Sequence, residues 1–165
     1  MADARANGIV SGEVNSFADT ALIDALKSVS ADKAQFRPTP GIGNDNDPTL
    51  RGRDTHQVLE DHLRLRLEGR LEEDLQRNYA PDVVLLTVNS NSKGHHAIRM
   101  SAKRLAEQLP DADFEFVMKQ VSGSFALLVW KARSPRQEAH SGADTFVIEN
   151  GLIRLQTIHY HLTAE

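Results

Sequence analysis

The chain contains no cysteine, which removes disulfides, thiolate zinc sites, cysteine nucleophiles and thiol redox chemistry, and suits a reducing compartment. It has no excess of positive charge either. Its 165 residues carry 23 acidic and 19 basic side chains, interspersed along the chain, for a net charge of −4. Without a basic face to neutralise phosphates, nucleic acid is not an expected partner. No apolar run reaches membrane-spanning length, and residues 1–29 hold neither a basic start nor an uninterrupted apolar stretch. A soluble cytoplasmic protein with no membrane partner is expected. Phosphate loop, dinucleotide fingerprint and serine nucleophile elbow are all missing. Basic residues do not interleave with Phe125 and Trp130, so these read as core or pocket wall, not as a stacking platform for bases.

The length fits one ordinary domain with a substantial core. The pattern divides near residue 53, giving an N-terminal extension over 1–53 and a domain over 54–165. In the extension, Phe17, Leu22, Ile23, Leu26 and Val29 suggest one short amphipathic helix. Residues 37–53 are rich in Pro, Gly, Asn and Asp, which break regular structure. The extension reads as a mobile arm or, alternatively, as a lid or dimer clasp.

From Asp54 the pattern is regular. Asp54 or Thr55 can cap a helix in which Val58, Leu59, His62, Leu63 and Leu67 recur at helical spacing, and Gly69 stops it. A second short helix over 71–79 is expected to end before Pro81, ahead of a strand over 83–88 and a loop over 89–94. A third helix covers 95–109, with Ile98, Leu105 and Leu109 among its apolar positions and Pro110 at its end. The period then becomes two, with Phe114, Phe116 and Met118 alternating, an apolar run over 125–130 and a closing hairpin. Helices followed by an antiparallel sheet indicate the α+β class.

The run EGRLEEDLQRNYAPDVVLLT (68–87), the helix start GHHAIR (94–99) and the closing strands ADTFVI and IRLQTIHYH resemble the nuclear transport factor 2-like (NTF2-like), or SnoaL-like, superfamily. That superfamily includes ketosteroid isomerase, limonene epoxide hydrolase, scytalone dehydratase and polyketide cyclases. The resemblance covers about residues 54–163. It implies a cystatin-like α+β cone, in which three N-terminal helices pack in a strongly bent, mostly antiparallel β-sheet. It further implies a pocket at the open end and homodimers through the outer sheet face. Because this fold hosts many functions, activity has to be argued from the site.

Loop length in the closing hairpin decides which side chains face such a pocket. A two-residue Asn150-Gly151 turn places Asp144 on the face of Leu155, Thr157, His159 and His161; a three-residue Glu149-Asn150-Gly151 loop pairs Asp144 with Gln156. We take the three-residue loop, which gathers Val147, Ile153 and Leu155 on an outer patch suited to a partner subunit. The pocket face then carries Asp144, Gln156, Ile158 and Tyr160, with His159 and His161 outside.

Asp144 matches, within the resemblance, the acid that donates a hydrogen bond to the substrate oxyanion in the isomerase. That role needs apolar surroundings such as Phe146 and Ile158 to keep the carboxyl protonated. The alternative is a carboxylate held by backbone or Gln156 that orders the sheet edge. His62 corresponds to the isomerase's first-helix tyrosine and Tyr79 to its second-helix tyrosine; either is otherwise a satisfied core residue. Asp144 and His62 are the catalytic candidates. Tyr79, Thr87, His96, Trp130, Phe146, Gln156, Ile158 and Tyr160 are the expected substrate-binding residues. Thr87 stands where the isomerase carries its carboxylate base, and a threonine hydroxyl cannot shuttle a proton unaided at neutral pH. Asp82 nearby reads as a turn or capping residue. His95, His96, His140, His159 and His161 complete no ligand set, so neither metal nor other cofactor is expected. Two readings remain. One is a cofactor-free acid/base isomerase, cyclase, dehydratase or hydrolase acting on a small apolar oxygenated molecule. The other is a non-catalytic dimeric domain that binds a ligand or supports assembly.

Overall fold

The computed structural model describes residues 47–164, so the helix expected between Phe17 and Val29 lies outside the described residues. One turn of helix, α1 (Pro48–Arg51), interrupts the stretch read as structure-breaking. Asp47 caps it by accepting from the Thr49 backbone N–H at 2.9 Å, and Pro48 occupies the first turn, where its missing N–H has no partner to lose.

Helix α2 (Thr55–Leu67) starts in a full capping box. Asp54 accepts from the Gln57 N–H at 2.8 Å, and the Gln57 side chain accepts from the Asp54 N–H at 2.9 Å. Val58, Leu59, His62 and Leu63 are buried, but Leu67 is 61% exposed, because the stripe runs past the core edge before Glu68 caps the helix. Helix α3 (Leu71–Asn78) is followed at once by strand β1 (Tyr79–Thr87). Tyr79 therefore belongs to the strand and not to the helix, and Pro81 lies inside β1. The chain tolerates proline there because the pairing of β1 with its neighbour is irregular between Tyr79 and Val84. Part of the expected 89–94 loop is strand β2 (Ser90–Lys93), which folds back on β1 with Thr87 opposite Ser90. Helix α4 (His95–Gln108) follows.

Strands β3 (Asp113–Ser122), β4 (Phe125–Arg133), β5 (Gln137–Glu149) and β6 (Leu152–His159) complete the main sheet, with the short β7 (Thr163–Ala164) paired to β5. The order is β2-β1-β6-β5-β4-β3, antiparallel except for the parallel β1–β6 pair. This is a strongly curved, open, mixed sheet in an α+β fold. Ala126, Leu128, Trp130, Phe146, Ile148 and Ile153 form one core with Val58, Leu59 and Leu63 of α2.

Two bulges correct the period-two expectations. On β3 the pairing shifts between Phe116 and Met118, so Phe116 opposes Trp130 whereas Met118 opposes Val129. The phase flips at Val117, and Met118 leaves the face of Phe114 and Phe116. The hairpin uses the two-residue turn and not the expected three-residue loop: Glu149 pairs with Leu152, and Asn150 and Gly151 both have positive φ, 52° and 72°. A bulge at Arg154 then moves the register by one, giving Val147 opposite Leu155, Phe146 opposite Gln156 and Asp144 opposite Ile158. Asp144, Phe146, Gln156 and Ile158 share the inner face after all. Ile153 belongs to the core, and Val147 and Leu155 are themselves buried, so the expected outer trio is not an exposed patch.

Candidate functional site

The inner sheet face, α2 and α4 surround a cavity of about 140 Å³. Leu63, Ile98, Leu105, Phe114, Phe116, Leu128 and Ile158 make most of its wall apolar, and His62, Arg66, Tyr79, Trp130, Asp144, Gln156 and Tyr160 supply its polar groups. An engineered apolar cavity of about 150 Å³ holds benzene, so this space matches a one-ring molecule.

Asp144 is 7% exposed and accepts at both carboxylate oxygens. Trp130 donates Nε1–H to Oδ1 at 2.9 Å, and Gln156 donates from Nε2 to Oδ2 at 2.7 Å. The other end of the Gln156 amide accepts from the Tyr79 hydroxyl at 2.6 Å. Every protein proton in this relay points toward Asp144, so the relay is complementary to an ionised carboxylate, an acceptor, and not to the neutral donor of the isomerase comparison. Burial nevertheless pushes the Asp144 carboxyl above its usual range, against the lowering effect of the Trp130 and Gln156 hydrogen bonds. Burial also holds the Tyr79 hydroxyl well above its ordinary value, which keeps it a donor.

Close packing makes the relay possible. Gly142 stands opposite Trp130 on the neighbouring strand, and a Cβ there would lie 2.2 Å from the indole ring. Only glycine lets the ring lie flat across β5 with Nε1 reaching Asp144.

His62 is 4% exposed and packs edge-on to the rings of Tyr79 and Phe146, with centroids 5.5 and 5.4 Å away. Its Nδ1 meets Asp74 Oδ2 at 2.9 Å, and Asn78 donates to Asp74 Oδ1 at 2.9 Å. With Asp74 wholly buried and accepting, Nδ1 carries a proton and Nε2 is left as the ring nitrogen not engaged by Asp74. Arg53 completes the support by donating to Asn78 Oδ1 at 2.8 Å.

The structure thus brings His62, Tyr79, Trp130, Asp144, Gln156, Ile158 and Tyr160 to one cavity. Phe146 lies behind it, fully buried against His62. Thr87 and His96 are not in the wall: Thr87 bonds Ser90 at the β1–β2 turn, and His96 is exposed at the start of α4. Asp82 lies within β1 and faces Arg154 at 3.6 Å. His159 and His161 are exposed. Sequence reasoning missed Asp74, which reads as an ordinary acid in a helix's first turn, and Arg66, which reads as part of α2's polar side. Spacing holds one signal for Arg66, since it follows His62 by four residues and so shares its helix face. Among the described residues, no three His, Asp or Glu side chains gather as metal ligands, and no helix is long and apolar enough to cross a membrane.

No family model matches the chain, and no curated protein matches its sequence. Solved structures do match. An NTF2-like protein of unknown function from Burkholderia pseudomallei is 14% identical, with 66% of this chain and 92% of that one covered, at a TM-score of 0.57. A protein provisionally described as a SnoaL-like polyketide cyclase from Jannaschia sp. is also 14% identical, covering 66% and 88%, at 0.57. A provisional ketosteroid isomerase from Kribbella flavida is 15% identical, covering 67% and 80%, at 0.55. At such identities the likeness establishes the NTF2-like fold alone.

Proposed function

We propose that the protein is a cofactor-free acid/base catalyst of the SnoaL-like kind, acting on a small, one-ring oxygenated molecule. The observation that carries this reading is that a desolvated carboxylate, to which every protein hydrogen bond is a donation, shares an apolar cavity with a carboxylate-backed histidine. In this reading Asp144 is the base. It takes a proton from carbon next to a carbonyl, with a proton affinity raised by burial. His62, oriented by Asp74, gives or takes the proton at the substrate oxygen through Nε2. Tyr79 and Gln156 hold Asp144 in place, and Tyr160, whose hydroxyl bonds Gln108, flanks the cavity. Nothing in this scheme asks Thr87 for a proton.

The test is α-proton exchange into heavy water, followed by NMR over a panel of one-ring ketones and enones. Mass spectrometry of small molecules copurifying with the protein runs in parallel. Exchange that depends on both Asp144 and His62 supports the reading. A panel that exchanges no faster than in buffer, together with protein that retains no ligand, ends it.

The second reading, a non-catalytic dimeric domain, is favoured by exposed apolar side chains on β3 and β4: Val117 at 55%, Met118 at 37% and Phe125 at 45%. Pairing of two copies through this outer sheet face is therefore part of the proposal, and sedimentation of Phe125→Glu against wild type tests it. Cytoplasmic location remains part of the proposal, supported by the absence of cysteine.

A further inference from the structure

Arg66 has no part in the acid/base scheme, yet it is the only lysine or arginine in the cavity wall among the described residues. It follows His62 by one helical turn on the same face of α2. Along that face the chain runs from His62, 4% exposed, to Leu67, 61% exposed, so Arg66 stands where the cavity meets solvent. It is half-buried. Its neighbours are all engaged: Arg53, Arg64, Arg70, Arg77 and Arg99 each have a carboxylate within 3.2 Å. Arg66 has no hydrogen bond or ion pair from its guanidinium among the described residues. Its charge is felt by Asp144 and by Tyr79, favouring the ionised form of each.

A cation in the last turn of a helix also offsets the helix dipole. Arg64 already serves that end of α2 from an exposed position, bound to Asp61 and Glu68. A dipole role gives no reason to hold a second guanidinium half-buried beside an apolar cavity without a counterion, since a partly desolvated charge is costly unless paired. The missing counterion is what a ligand would bring.

We infer that Arg66 recognises an anion at the cavity rim and that the ligand is a small one-ring carboxylate, its ring among the apolar wall residues and its carboxylate on the guanidinium. The inference rests on the cavity being a ligand site, as proposed above, and names the class of molecule it takes. A guanidinium presents two parallel N–H donors that match a carboxylate's two oxygens. The orientation follows from charge: a carboxylate turned inward meets Asp144 and is repelled, so the ring's far end faces Asp144 and His62.

The test uses the full chain and two probes of nearly equal shape, benzoate and neutral benzamide. Trp130 is the only tryptophan and lines the cavity, so its fluorescence reports occupancy, with calorimetry as a second readout. Benzoate should bind wild type at least about tenfold tighter than benzamide, the effect of one good charge-assisted contact. Arg66→Gln should remove that preference and leave benzamide binding unchanged, and Arg66→Lys should restore part of it. Equal affinities for the two probes in wild type, or unchanged benzoate preference in Arg66→Gln, overturn the inference while the cavity reading stands. Failure of both probes to bind wild type at millimolar concentration overturns both. Should Arg66→Gln fail to fold, the wild-type preference and the Arg66→Lys variant decide the matter.

Discussion

Asp61 and Asp144 are both carboxylates held by several donors, and they behave in opposite ways. Asp61 sits on the outer side of α2 and receives Arg53 at 3.2 Å, Arg64 at 2.7 Å and Arg77 at 3.0 Å. Partial burial pushes its carboxyl up, but the hydrogen bonds from Arg64 and Arg77 win and bring it down to about 2. Asp144 has equally short hydrogen bonds from neutral donors, and there burial wins. The contrast shows that hydrogen-bond count does not make a carboxylate inert; the formal charge of its donors and its contact with water decide. One acid is a fastener. The other is a poised acceptor, and it lines the same cavity as His62, the residue that follows Asp61 on α2.

The sharpest way to break this contrast is Asp144→Asn. The amide must aim its NH₂ at either the Trp130 or the Gln156 donor, so the relay loses an acceptor along with the base. Proton exchange on a responsive substrate should fall about 10²- to 10⁴-fold, the range general acid–base catalysis supplies. An unchanged rate would make Asp144 as inert as Asp61. Next in size, Gly142→Ala drives a methyl group into Trp130 and should lower stability in urea by about 1–3 kcal/mol, as overpacking does. It should also shift the tryptophan emission by dislodging Nε1 from Asp144.

Acid titration separates the two carboxylates by sign. Because burial raises Asp144 in the folded chain, its neutral form is favoured and its ionisation weakens the fold. The stabilising contribution is complete below the unfolded value near 3.8 and is lost as pH rises through the higher folded value. Trp130 emission should therefore titrate with a midpoint above 3.8, and the transition should vanish in Asp144→Asn. Asp61 runs the other way. Its contribution is present above 3.8 and disappears as pH falls toward about 2. Asp61→Asn should cost about 1–2 kcal/mol at neutral pH, because Asp61 is only 14% exposed and its loss leaves Arg53 and Arg77 short of an acceptor. Its stability curve should lack the wild-type fall over that acid window in a urea series.

Much of this was legible in the residues. The helix cap at Asp54, the switch of period after Pro110 and the presence of a closing hairpin around Asn150-Gly151 all report local backbone physics, which sequence records directly. Asp144, Gln156 and Tyr160 line one cavity, but Asp144 pairs with Ile158 and not with Gln156 as the three-residue loop implies. The turn is one residue shorter than expected, and the bulge at Arg154 restores the parity. Bulges leave no periodic signature, which is also why Met118 was assigned to the wrong face. Proline inside β1 misled because a strand can absorb it where pairing is already irregular. The support of His62 by Asp74 depends on how α2 and α3 pack together, and the lack of a partner for Arg66 among the described residues depends on which carboxylates the fold brings near it. Neither is written in a local pattern.

Arg53 has a consequence for where this protein can be cut. Its guanidinium reaches Asn78, the Arg77 carbonyl and, 98 residues onward, the Gly151 carbonyl at 3.0 Å. Leu50 packs so closely against that turn that a Cβ on Gly151 would lie 2.0 Å from its carbonyl oxygen. A shortened version starting at residue 54, where the sequence pattern changes, would keep every helix and strand from α2 onward. It would still strip the hairpin tip of its clamp and remove the donor that steadies Asn78, then Asp74, then the imidazole of His62. A trimmed protein of that kind would be well folded by most spectroscopic measures and poorly aligned at its centre, so residues 47–53 belong in any minimal version made for assay or crystallisation.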